Sequence, residues 1–76
     1  MNKTLTFGQK AVGISFNHSN DSLVDHFKVK FADLIDEANA VRETSDDPEV
    51  KRMASIAITE LQTAQMWIVK AVTWKN

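Results

Sequence analysis

The segment Thr44-Ser45-Asp46-Asp47-Pro48 leaves this chain little choice of fold. It contains the single proline of the sequence, and on both sides of it apolar residues recur at alternating three- and four-residue spacing. Before the turn, Val24, Phe27, Phe31, Leu34, Ala38 and Val41 fall on one helical face, and Ile35 widens it. After the turn, Val50, Ala54, Ala57, Leu61, Ala64, Ile68 and Ala71 carry the same register almost to the C-terminus. Such spacing follows the helical period and predicts the seam of a helical hairpin. A connection this short makes the two helices antiparallel neighbours.

The helix starts are marked by residues that can accept bonds from free backbone N–H groups. Ser19-Asn20-Asp21-Ser22 predicts a start near Ser22. Pro48 suits the first turn of the second helix, and Asp46 with Glu49 resembles a capping box. The first long helix is expected over about 22–43 and the second over about 48–74. Asp33, Asp36, Glu37 and Arg42 fall off the seam and are expected in solvent. In the head, residues 1–18, Thr6 with Gln9 can cap a turn or two of helix ending at Gly13, and Ile14-Ser15-Phe16-Asn17 looks extended. The fold class is therefore all-α: one domain with a short N-terminal head and a long antiparallel helical hairpin.

Composition narrows the function. At 76 residues the chain is too short for a self-contained nucleotide-binding α/β enzyme, and without cysteine it has no disulfide or thiolate zinc site. No apolar run approaches the ~20 residues of a membrane span, and the N-terminus lacks the apolar core of a signal peptide. A soluble intracellular protein is the expectation. The net charge of −1 argues against a DNA or RNA polymer as partner. That total covers an uneven distribution, with seven acids against Arg42 in residues 31–49 and mildly basic ends.

The second helix has more apolar residues than one seam can use. Met53, Ile56, Ile58, Met66, Trp67, Val69, Val72 and Trp74 lie largely off the register. A helix apolar nearly all round is buried nearly all round, and a hairpin offers it one partner. The expectation is self-association into a compact homo-oligomeric bundle, with Met66, Trp67 and Trp74 in the interface. Packing of the head over these residues is the simpler alternative.

Catalysis finds little support. His18 and His26 fit no standard metal spacing, there is no Gly-rich phosphate loop, and nothing in the sequence marks the pocket that paired carboxylates need to shift their pKa values. No catalytic residue, metal ligand or cofactor is expected. An anion site has more behind it. Lys28 and Lys30 lie near the positive end of the first long helix, Phe16 offers a stacking surface beside Asn17, and Arg52 is a further candidate for phosphate. Composition alone favours the plainer reading, with Phe16 in the core and both lysines solvated.

Two stretches carry a resemblance. Gly8-Gln9-Lys10-Ala11-Val12-Gly13-Ile14-Ser15-Phe16-Asn17, and Ser55 to Trp67 followed by Val69-Lys70-Ala71-Val72-Thr73-Trp74, resemble the anti-CBASS cyclic-oligonucleotide sponge family of phages, or anti-CBASS/Thoeris hairpin domain. The similarity runs from about Thr6 to Trp74, with the C-terminal stretch the most specific. It implies a protein of the host cytoplasm during infection that binds cyclic dinucleotides such as cyclic GMP-AMP, and cyclic trinucleotides, without cleaving them. It implies a homohexamer with pockets at subunit contacts, and no cofactor. The family's stacking aromatic, often Tyr, matches Phe16, which lacks the hydroxyl. Its ligand-contacting polar position matches Asn17, its helix lysine matches Lys28 with Lys30 as the neighbouring choice, and its basic residue for trinucleotide phosphates matches Arg52. Two other classes compete: a protein-binding helical hairpin that inhibits or adapts a host protein, and a small metal-dependent hydrolase using the acidic middle.

Overall fold

Three polar caps start the three helices of the computed structural model, which describes residues 4–15 and 21–74. The helices are α1 (Phe7–Val12), α2 (Ser22–Thr44) and α3 (Pro48–Val72). The described residues contain no strand, and α2 and α3 form the hairpin that the periodicity requires.

Each start has a local cause. Thr6 Oγ1 accepts the Gln9 N–H at 3.0 Å and Gln9 Oε1 accepts the Thr6 N–H at 2.9 Å, a reciprocal capping box. Asp21 Oδ1 accepts the Leu23 N–H at 2.8 Å and caps α2. Asp47, not Asp46, caps α3, with its Oδ1 accepting the Glu49 N–H at 2.9 Å. The cap falls there because Pro48, which has no N–H to satisfy, directly follows it as the first helical residue. Glu49 is thereby one position too early for the capping box and pairs with Arg52 instead. At the far end of α1, Gly13 adopts φ 63° and ψ 57°, the left-handed conformation that ends a helix cheaply only at glycine. Ile14 and Ser15 continue this turn and are not extended.

The helices are rotated from the expected seam by about one residue. On α2 the buried residues are Val24, Lys28, Ala32 and Ile35, while Leu34 and Val41 are about half exposed. On α3 they are Ala54, Ile58 and Gln65, and Ala57, Ala64 and Ala71 face solvent. One residue is a turn of about 100°. The cause is α1, which packs chiefly on α2, so that α2 serves two partners with a wider face than a two-helix seam needs. Val12, Ala32, Ile35 and Ile58 meet where all three helices converge, flanked by Phe31, Ala38 and Leu61. Burying residues such as Val24 and Ile35 contributes roughly 1.5–3 kcal/mol each.

The head is seated by backbone proximity. A Cβ on Gly8 would come within 2.0 Å of the Ala32 carbonyl oxygen, so only glycine allows α1 to lie this close to α2. Asp36 Oδ1 accepts the Gly8 N–H at 2.7 Å, satisfying a donor that the first turn of α1 leaves open. Asp36 is therefore a docking residue, not a solvated one. Arg42 is likewise half-buried: its guanidinium donates to Asn39 Oδ1 and, at 3.2 Å, to Ser55 Oγ on α3, and it lies 5.1 Å from the centroid of the Phe7 ring. It ties the head and both long helices together near the turn.

The Cα extents are 46 × 35 × 12 Å. The molecule is much thinner in one direction than in the other two. Met53, Ile56, Met66, Trp67 and Trp74 are left about half exposed or more. None of the described helices is long and apolar enough to cross a membrane.

Candidate functional site

A groove of about 490 Å³ opens where the end of α1 meets α2 and α3. Residues 10–13 form one wall, Lys28 of α2 the base, and Gln62, Gln65, Met66 and Val69 of α3 the other wall. The α3 residues follow an i, i+3, i+4, i+7 pattern and so share one helical face. The volume falls within the range of small-molecule sites.

Lys28 is the residue on which the groove depends. It is only 4% exposed, which overturns the expectation of a solvated lysine. Its Nζ donates to the Gly13 carbonyl at 3.0 Å. The carbonyl is available because Gly13 ends α1, and a cation there also suits the negative end of the α1 backbone. Folding of the head thus positions the ammonium, and the ammonium in turn holds the head. Lys10 adds a second cation at the rim, and among the described residues no carboxylate lines the groove. The Gln62 Nε2 donates to the Ala11 carbonyl at 3.3 Å and joins the two walls. A cationic cleft with apolar and amide walls is suited to a small anion that also presents flat, hydrogen-bonding surface.

The other predicted residues are dispersed. Phe16 and Asn17 lie outside the described residues. Lys30 is exposed and stands two positions from Lys28, which puts it on nearly the opposite side of α2. Arg52 lines a separate, shallower hollow of about 450 Å³ with Ser55, Ile56, Thr59 and Glu60. There it is paired with Glu49, and the two side chains remain 60% and 58% exposed. The guanidinium holds the Glu49 carboxyl below its ordinary pKa, and the carboxylate raises that of Arg52. Lys28 and Arg52 therefore belong to different hollows. Met66 joins the groove wall, while Trp67 and Trp74 are 65% and 66% exposed. The Lys70 ammonium lies 5.5 and 5.8 Å from their two ring centroids.

Sequence reasoning missed Lys10, Gln62 and Gln65. Gln65 had a faint signal, as an amide inside the largely apolar run from Ala64 to Val69, whereas Gln62 sits among other polar residues and had none. What they face is decided by where α1 docks. No group of His, Asp or Glu able to hold a metal ion occurs among the described residues.

Residues 9–73 match the family model described as Acb2/Tad1, hairpin domain. No curated protein and no solved structure matches the chain.

Proposed function

The chain belongs to the Acb2/Tad1 hairpin-domain family, the anti-CBASS and anti-Thoeris sponges, and on that footing we propose that it binds and sequesters cyclic di- and trinucleotides. It would act in the cytoplasm of the infected host, keeping the messengers from the immune effectors they activate. The observation that carries this reading is the buried ammonium of Lys28 at the base of a groove whose described lining holds no carboxylate. A phosphodiester entering the groove meets a positive charge whose place is set by the Gly13 carbonyl. A charge-assisted bond in such a setting contributes about 1.5–3 kcal/mol. In this reading Phe16 stacks on a base, worth ~1–3 kcal/mol, Asn17 adds a polar contact, and Lys30 is the weaker lysine candidate because it is away from the groove. Arg52 serves the phosphates of a trinucleotide in the second hollow, exchanging Glu49 for the ligand.

Submicromolar affinity requires more than ~8 kcal/mol net, beyond what one groove of this openness supplies. We therefore place groups from a second copy over it, in a homohexamer assembled through Met66, Trp67 and Trp74. No cofactor takes part, and the ligand leaves unchanged. The exposed apolar face of α3 also suits a protein-binding hairpin that acts on a host protein.

The test is calorimetry with 3′,3′-cyclic GMP-AMP, followed by denaturation of the complex. The expected result is tight binding, intact ligand on recovery, and at least about a tenfold loss for Lys28→Met, in line with the charged bond removed. Methionine keeps the aliphatic stem against the core, and circular dichroism checks the helices. Degraded ligand would indicate an enzyme. Absence of binding across cyclic di- and trinucleotides, with a host protein copurifying, would replace the sponge by the protein-binding hairpin.

A further inference from the structure

On α2, Lys28, Ala32 and Asp36 stand four residues apart and form one stripe. The head helix α1 lies along that stripe in the opposite direction. Its start is held at Asp36, whose Oδ1 accepts the Gly8 N–H at 2.7 Å. Its end is held at Lys28, whose Nζ donates to the Gly13 carbonyl at 3.0 Å. Between them the Gly8 backbone closes on the Ala32 carbonyl. Asp36 is half-buried and is not one of the described residues that line the groove. It stands about 12 Å along the helix from Lys28.

An ammonium has three N–H donors, so Lys28 can hold a phosphate oxygen and the Gly13 carbonyl together, provided that the carbonyl stays in place. The groove wall formed by residues 10–13 likewise exists only while α1 is docked. Asp36 secures α1 through a bond outside the groove. With no acceptor at position 36, the partly buried Gly8 N–H is left unsatisfied, which favours an undocked head. Only the docked fraction of molecules then offers the complete groove, and the apparent affinity falls by that fraction.

We propose that Asp36 is a positioning residue for the nucleotide site: through α1 it sets the Gly13 carbonyl and hence the Lys28 ammonium. This rests on the reading of Lys28 as the phosphate anchor, and it adds a residue outside the groove on which affinity depends. The sign of the effect separates positioning from charge. Asp36 is an acid and the ligand an anion, so charge alone predicts tighter binding when Asp36 is neutralised. Positioning predicts weaker binding when the acceptor is lost.

Calorimetry with 3′,3′-cyclic GMP-AMP compares wild type, Asp36→Asn and Asp36→Leu, each well below its melting temperature. Asparagine keeps an oxygen that can accept the Gly8 N–H, and leucine has a similar shape without one. The asparagine variant is expected within about twofold of wild type. The leucine variant is expected to bind at least about fivefold more weakly, with the number of sites unchanged. A merely structural role would lower the melting temperature of the leucine variant and leave the affinity of the folded chain as it was. That result, tighter binding by both variants, or an equal loss in both would overturn the assignment. If the leucine variant does not fold, wild type alone supplies the test. Saturating ligand is expected to slow hydrogen exchange at the Gly8 amide by at least about fivefold, because coupling between two sites is reciprocal. Unchanged exchange would overturn the assignment. Lys28→Met distinguishes the two layers. If it weakens binding while Asp36→Leu does not, positioning by Asp36 falls and phosphate anchoring stands. If wild type does not bind, both fall.

Discussion

Two residues decide whether the head of this protein has a place to sit. Gly8 leaves no room for a Cβ beside the Ala32 carbonyl, so Gly8→Ala is expected to destabilise the chain by about 1–3 kcal/mol through forced separation of α1 from α2. A thermal melt checks it, and an unchanged melting temperature would show that α1 can lift away without cost. Asp36 then receives the backbone of α1. Neither role was legible beforehand: Gly8 reads as an ordinary helix residue, and Asp36 as part of a solvated acidic face. Glu49 and Arg52 show a different kind of local coupling. Because the folded-state pKa of Glu49 is lowered, its pairing supports the fold above the ordinary carboxylate range and is lost as pH falls through the folded value. Carboxyl NMR should find Glu49 titrating below normal and returning toward normal in Arg52→Ala. If trinucleotide phosphates recruit Arg52, adding cyclic tri-AMP should raise the Glu49 pKa in the same way, and no movement at saturating ligand would remove Arg52 from that contact.

At the scale of the helices, the starts were easy to find and the rotation was not. Asp21 and Asp47 act through hydrogen bonds within two residues, so their chemistry is local and visible in sequence. Asp47→Ala is expected to cost about 1 kcal/mol, read as a lower midpoint in urea, whereas Asp46→Ala should cost much less because Asp46 does not cap. Equal effects would restore the Asp46 capping box. The rotation of α2 had no such local signal. Leu34 and Val41 satisfy a hairpin register as well as Ile35 does, and only the presence of α1 against Ala32 decides between them. The same rotation buries Lys28 and Gln65 and thereby creates the groove. Lys28 was legible as a candidate from its place near the helix start and from the family resemblance. Its burial and its carbonyl partner were not.

At the scale of the molecule, so thin a fold leaves much of its large apolar surface uncovered. Trp67 and Trp74 stand out from α3 and its end, each near the Lys70 ammonium. Burying an aromatic residue of this size contributes on the order of 1.5–3 kcal/mol, a strong incentive for another copy to cover it. Light scattering is expected to find an oligomer for the wild type and smaller species for Trp67→Ala or Trp74→Ala, with helix content kept. A monomeric wild type would sink self-association and strengthen the protein-binding alternative.

The amino-acid order alone determined the helical hairpin, the polar starts of its helices and the excess of apolar residues on α3. These depend on periodicity and on contacts between residues close in the chain, both of which are written locally. The docking of α1 decided which face of each helix is inside, and with it the buried lysine, the buried glutamine of the groove wall and the separation of Lys28 from Arg52. Such choices depend on contacts between distant parts of the chain, where several registers bury similar apolar area and a close backbone approach at Gly8 selects one of them.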